Sequence, residues 1–126
     1  MIEYAIDPQR QLVTVTVPGH VAPHELLDLL ERLANDTAVT GLDRLFVCLN
    51  ESLELISNQD IKQLAERGTE LWGKGDFHTA IVAARDIEFG IARMIATRRQ
   101  RPTGLLRIFR SITDAKAWLD EPEPAD

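Results

Sequence analysis

The chain has 126 residues, of which 44% are hydrophobic and 27% charged, with a net charge of −6 and a single cysteine. That is the size of one domain with one core, and a composition that excludes a disordered, collagen-like or disulfide-stapled chain. The longest apolar runs, such as Leu45 to Leu49 and Ala80 to Ala84, fall far short of the roughly 20 residues that cross a bilayer, and Glu3 stands where an export signal needs bases. The expectation is a cytoplasmic protein.

Ile2 to Ile6 and Leu12 to Val17 read as two strands joined at Asp7-Pro8-Gln9-Arg10, where Asp then Pro suit a type I turn. In the second strand Val13, Val15 and Val17 alternate with Thr14 and Thr16, so one face is buried and the other lightly covered, a place for a sheet edge or a homodimer contact. Pro18-Gly19 breaks the strand, and Pro23 opens a helix to about Asn35 with Leu26, Leu27, Leu29, Leu30 and Leu33 on its apolar face. Leu45 to Leu49 lacks polar alternation, as a strand covered on both sides does. After the loop from Asn50 to Ile56, Ser57-Asn58-Gln59-Asp60 resembles a capping box for a helix that Gly73 and Gly75 end.

Phe77 to Ala84 repeats the buried-strand signature, and Asp86 can cap a third helix whose Ile87, Ile91, Met94, Ile95 stripe is expected to face the core. Leu105 to Phe109 is a fifth strand, and Ser111 with Asp114 caps a fourth helix before an acidic, Pro-containing tail at 121–126. The order β-β-α-β-α-β-α-β-α predicts a single α/β domain over 1–120, with a mixed, mostly parallel five-stranded sheet begun by an antiparallel hairpin and about four helices. Ligands of such sheets sit beyond the carboxyl ends of the strands, here loops 18–23, 50–57, 85–90 and 110–113.

The net charge conceals seven arginines against two acids in residues 85–113. Those at a helix end complement its dipole, and the acidic remainder opposes a polyanion, so no nucleic acid is expected. No catalytic constellation, phosphate-binding glycine pattern or metal-ligand spacing is found: His20 and His24 are split by Pro23, His78 flanks a strand, and Cys48 lies in an apolar run that raises its pKa. No catalytic residue, metal or cofactor is therefore assigned.

The candidate contact residues are Asn50, Ser52 and Ser57 in the first rim loop and Arg85, Asp86, Phe89, Gly90 and Arg93 around the third helix start. Ser57 and Ser52 stand where helix N–H groups stabilise a phosphate, so each is a candidate for phosphorylation, with a plain cap as the alternative for Ser57. Asp86 and Arg93 lie about two turns apart with Gly90 between, where a backbone can come close or the helix can pack on the sheet.

Residues 80–94, AIVAARDIEFGIARM, with Arg107-Ile108-Phe109-Arg110 and Ala115-Lys116-Ala117-Trp118-Leu119, resemble the bacterial SpoIIAA-like proteins of the wider STAS and SEC14-like group. The resemblance implies a compact α/β domain, usually standing alone in bacteria and without established enzymatic activity. Its STAS relatives act as regulatory interaction modules and its SEC14-like relatives bind lipids. The serine-rich phosphorylation loop of the anti-sigma-factor antagonists is not matched by Asn50 to Ser57, so their phosphoswitch does not carry over. The resulting expectation is a non-catalytic module binding a partner protein or small ligand at the strand ends. The alternative is a small-molecule or lipid binder with a pocket lined by Leu53, Leu55, Ile56 and Phe89, in which Arg85 or Arg93 anchors an anionic head.

Overall fold

The computed structural model describes residues 2–72, 77–98 and 105–121, with the side chain of Trp72 left aside. The elements in chain order are β1 (Tyr4–Asp7), β2 (Leu12–Val17), α1 (Pro23–Asn35), a 3-10 turn (Thr37–Val39), β3 (Asp43–Cys48), α2 (Asn58–Trp72), β4 (Thr79–Ala83), α3 (Asp86–Arg98), β5 (Leu106–Phe109) and α4 (Ile112–Asp120). The five strands form one sheet in the order β1-β2-β3-β4-β5, antiparallel between β1 and β2 and parallel elsewhere. This is the α/β fold with the mixed sheet and four helices that the sequence predicts. The glycines expected to end α2, Gly73 and Gly75, the arginines Arg99 and Arg101, and the tail from 122 lie outside the described residues.

Local chemistry accounts for the joints. The Asp7 carboxylate accepts hydrogen bonds from the backbone N–H groups of Gln9 and Arg10 at 3.0 and 3.2 Å, which holds the hairpin turn. At α2 the capping box is complete: Ser57 N–H donates to Asp60 Oδ2 at 2.8 Å and Asp60 N–H donates to Ser57 Oγ at 3.2 Å. The backbone N–H of Ser57 first, and then its hydroxyl, which also donates to Oδ2, hold the Asp60 carboxyl below its usual range. Ser111 accepts from Asp114 N–H and caps α4.

Sequential strand order puts the crossover helices α1, α2 and α3 on one face, where they bury Val13, Val15, Val17 and Phe46 together with Leu26, Leu29, Leu33, Ile61 and Leu64. Only α4 covers the other face, through Ala115 and Trp118 against Leu45, Ala80 and Val82. Thr16 is exposed and Thr14 half-buried because α4 packs on β3, β4 and β5 and leaves this face of β2 open. No helix among the described residues is long and apolar enough to cross a membrane.

The expected inner stripe of α3 is rotated. Ile87 and Met94 are exposed, Ile91 and Ile95 are half-buried, and Glu88 with Ala92 faces inward. The cause is an ion pair: Glu88, 1% exposed, meets Arg85 with Nε donating to Oε1 at 2.9 Å, and a paired carboxylate tolerates burial that an unpaired one does not.

Candidate functional site

The carboxyl ends of β2, β3 and β4 bring the loops after them into one charged rim. His20, in the left-handed region at φ 55°, donates its backbone N–H to the Glu51 carbonyl at 2.9 Å, and Glu51 itself stands at φ 69°. Two non-glycine residues in this sparsely populated region tie the β2 loop to the β3 loop. Their side chains meet as well, His20 Nε2 lying 2.8 Å from Glu51 Oε2 and Nδ1 3.7 Å from Glu54 Oε2. The third loop adds Arg85, whose Nη2 donates to Glu54 Oε1 at 3.0 Å and whose Nη1 is 4.0 Å from Glu51. Arg85 is thus surrounded by Glu51, Glu54 and Glu88, and the Glu54 hydrogen bond, the largest influence, raises its pKa further above the ordinary value.

The candidate residues separate on this rim. Asn50 is exposed, its carbonyl 3.4 Å from where a Cβ on Gly19 would stand. Ser57 is exposed at the α2 cap, its hydroxyl donating to Asp60 Oδ2 at 2.8 Å. Ser52 is wholly buried beside Cys48, so of the two candidate hydroxyls only that of Ser57 stands at the surface. Burial pushes the Cys48 thiol up to about 12, the Ser52 hydroxyl working the other way and Glu88 adding to the rise. A thiol so protonated at neutral pH is a poor nucleophile.

Asp86 is the first residue of α3 rather than its cap, and its exposed carboxylate accepts from Arg110 Nη1 at 2.7 Å. Arg110 also donates to the Ala84 carbonyl and lies 3.9 Å over the Phe89 ring, fastening the β5 loop to the start of α3. Asp86 and Arg93 therefore form no pair along the helix. Arg93 lies with Gly90, Met94, Thr97 and Arg98 around a shallow depression on the outer side of α3. A Cβ placed on Gly90 meets nothing within 4 Å, so no close backbone approach and no tight packing on the sheet require glycine there.

Arg85 does not anchor an anionic head in this arrangement, because three carboxylates already surround it. Of the residues expected to line a pocket, Leu53 does, whereas Leu55 is exposed, Ile56 is buried in the core and Phe89 is stacked under Arg110. Glu51, Glu54 and Glu88 were not singled out by sequence reasoning, and His20 was weighed only as a metal ligand with His24. Only the Arg85-Glu88 spacing carried a signal, since residues three apart share a helix face.

His20, Glu51 and Glu54 offer one ligand atom each within 4.8 Å of one another. Arg85 already occupies the cationic position beside both carboxylates, and exposed acids commonly gather without an ion. Among the described residues no serine or cysteine stands beside a histidine base, the pairing that nucleophilic catalysis needs. His78, at the opposite end of the sheet, lies 3.7 Å from Asp43 and edge-on to Trp118 at 5.5 Å, where it packs. Compared with models of protein families, with curated proteins and with solved structures, the chain matches none.

Proposed function

We propose that the chain is a non-catalytic cytoplasmic interaction module that receives a partner protein on the rim formed by the carboxyl ends of its parallel strands, as a regulatory domain of the SpoIIAA-like, STAS type would. The observation that carries this reading is where apolar surface is left in water. Among the described residues the exposed large hydrophobics are Ile6, Leu49, Leu55, Ile87, Met94 and Ile112, and four of these six lie on the rim. Scattered exposed aliphatics need no explanation, but gathered ones mark a contact surface. The rim also bears the exposed carboxylates of Glu51, Glu54 and Asp86. The complementary partner presents aliphatic side chains flanked by bases. The ion pairs that join the three loops hold the surface in shape before the partner arrives, which lowers the entropic cost of binding.

The test places a photo-crosslinking amino acid at Leu55, at Ile87 and, as a control on the outer face of α2, at Lys62 in cells. The two rim positions should capture the same protein, and Ile87→Asp should abolish capture from position 55 while leaving the melting temperature unchanged. Capture from Lys62 alone, or turnover of a substrate by the purified protein without any partner, would reverse the assignment.

A further inference from the structure

The side of α3 opposite its inward residues Glu88 and Ala92 carries a stripe that is symmetrical about Gly90. Asp86 and Arg93 are seven positions apart, as are Ile87 and Met94, and at about 3.6 residues per turn seven positions return to nearly the same side of the helix about 10 Å further on. Two rows therefore run along this face, one with opposite charges at its ends and one aliphatic, and Gly90 lies between them. All four side chains are exposed. Arg93 borders an open depression with Gly90 and Met94, and no carboxylate among the described residues pairs with it. The Asp86 carboxylate is 94% exposed and is engaged through Oδ1 alone, by Arg110. Within one copy nothing requires glycine at position 90, where an added Cβ meets no atom within 4 Å.

A second copy of the chain complements this stripe. A two-fold axis at Gly90, perpendicular to α3, sets another α3 antiparallel to the first and lays each row against its own copy. Opposite charges then meet at both ends of the charged row, and the aliphatic ends meet in the same way. At the crossing glycine faces glycine, so the two backbones approach with no side chain between them. We propose that the outer face of α3 is a homodimer contact in which two copies cross at Gly90, joined by reciprocal Asp86-Arg93 pairs on one side and by Ile87 against Met94 on the other. A uniformly acidic partner would suit Arg93 but be repelled by Asp86, whereas a row whose sign changes along its length is matched at both ends by its own reverse. One crossing of two 13-residue helices is a small contact beside the ~1,200–2,000 Å² of stable interfaces, so the dimer should be weak and dilute protein monomeric. The contact covers Ile87, so self-association and capture of the rim partner compete. The inference rests on α3 alone and not on the rim reading.

Sedimentation velocity on the purified chain alone, from about 1 μM to about 1 mM, tests this with no other protein present. The wild type should pass from monomer to dimer within that range. Asp86→Arg and Arg93→Asp each bring like charges together at both contacts and should weaken self-association about tenfold. Mixed in equal amounts, the two variants face each other with opposite charges at both contacts, and the mixture should regain the association of the wild type. Gly90→Leu leaves Asp86 and Arg110 untouched and puts a side chain at the crossing. It should hold the chain monomeric with its circular dichroism unchanged, and it keeps the test decisive should Asp86→Arg fail to fold. A wild type still monomeric at about 1 mM, single variants that associate like the wild type, or a mixture of folded variants that does not recover association overturns the inference. Crosslinking from Leu55 and Ile87 then judges the rim partner separately.

Discussion

Glu88 holds a charge inside the molecule because Arg85 reaches it from the residue before α3 and spans outward to Glu54. The two partners are unequal in what they leave behind. Removing Arg85 strands a carboxylate that has 1% of its surface exposed, whereas removing Glu88 leaves an arginine that is about one-third exposed and still held by Glu54. Since an unpaired buried charge costs more than replacing a charge by an apolar side chain of similar size, Arg85→Met should lower the midpoint of chemical unfolding more than Glu88→Met. Equal losses, or the reverse order, would show that the pair does not hold Glu88 in place. Glu88 also shows why single residues were hard to read. Helical periodicity counts a charged side chain as outward, and the cation that reverses that count precedes the helix, outside the repeat being counted. His20 was obscure for another reason: its partners Glu51 and Glu54 come from a different loop, and only the parallel pairing of β2 with β3 brings the two loops together.

Whole elements were more legible, because their boundaries are set by chemistry within a few residues of one another. Pro23 at the first turn of α1, Ser57 with Asp60 at α2 and Ser111 at α4 mark helix starts that the structure reproduces. Strand ends depend on the neighbouring strand, which local pattern does not contain. The first strand is formed at Tyr4–Asp7 rather than from Ile2, since its ladder extends only as far as Val15 pairs with Tyr4. Within α3, Gly90 weakens the helix without serving a contact, for a Cβ there meets open space and the backbone is not left-handed. Gly90→Ala should therefore stabilise the protein by about 1 kcal/mol in urea unfolding, the difference in helix propensity. A loss of stability would mean that some neighbour does need the missing Cβ. If partner capture from position 87 also falls in Gly90→Ala, the docked partner approaches the helix backbone at that point, and the rim extends further along α3 than its exposed aliphatics indicate.

At the scale of the molecule, the single sheet separates two hydrophobic clusters of different size, a large one under α1, α2 and α3 and a small one under α4. The small cluster would be a separate folding unit if α4 were held by its cap alone. Instead Trp118 packs against Phe109 of β5 at 5.6 Å and against His78 at 5.5 Å, and Arg10 in the hairpin turn donates to Asp120 at the end of α4 at 3.0 Å. The residues beneath it, Leu45, Ala80 and Val82, sit on the strands whose alternate side chains Phe46 and Ile81 face the large cluster. Loosening one face must therefore disturb the other through shared backbone. For a domain of this size such coupling gives one cooperative transition. Trp118 can report it alone once the other tryptophan is replaced, as Trp72→Phe. Its fluorescence change in urea should coincide in midpoint and slope with the loss of far-ultraviolet circular dichroism. An earlier fluorescence transition would show α4 detaching while the three-helix face stays folded, and would place the β5 loop with Ile112 and the Arg110-Asp86 contact on a segment too loosely held to form part of a preorganised rim.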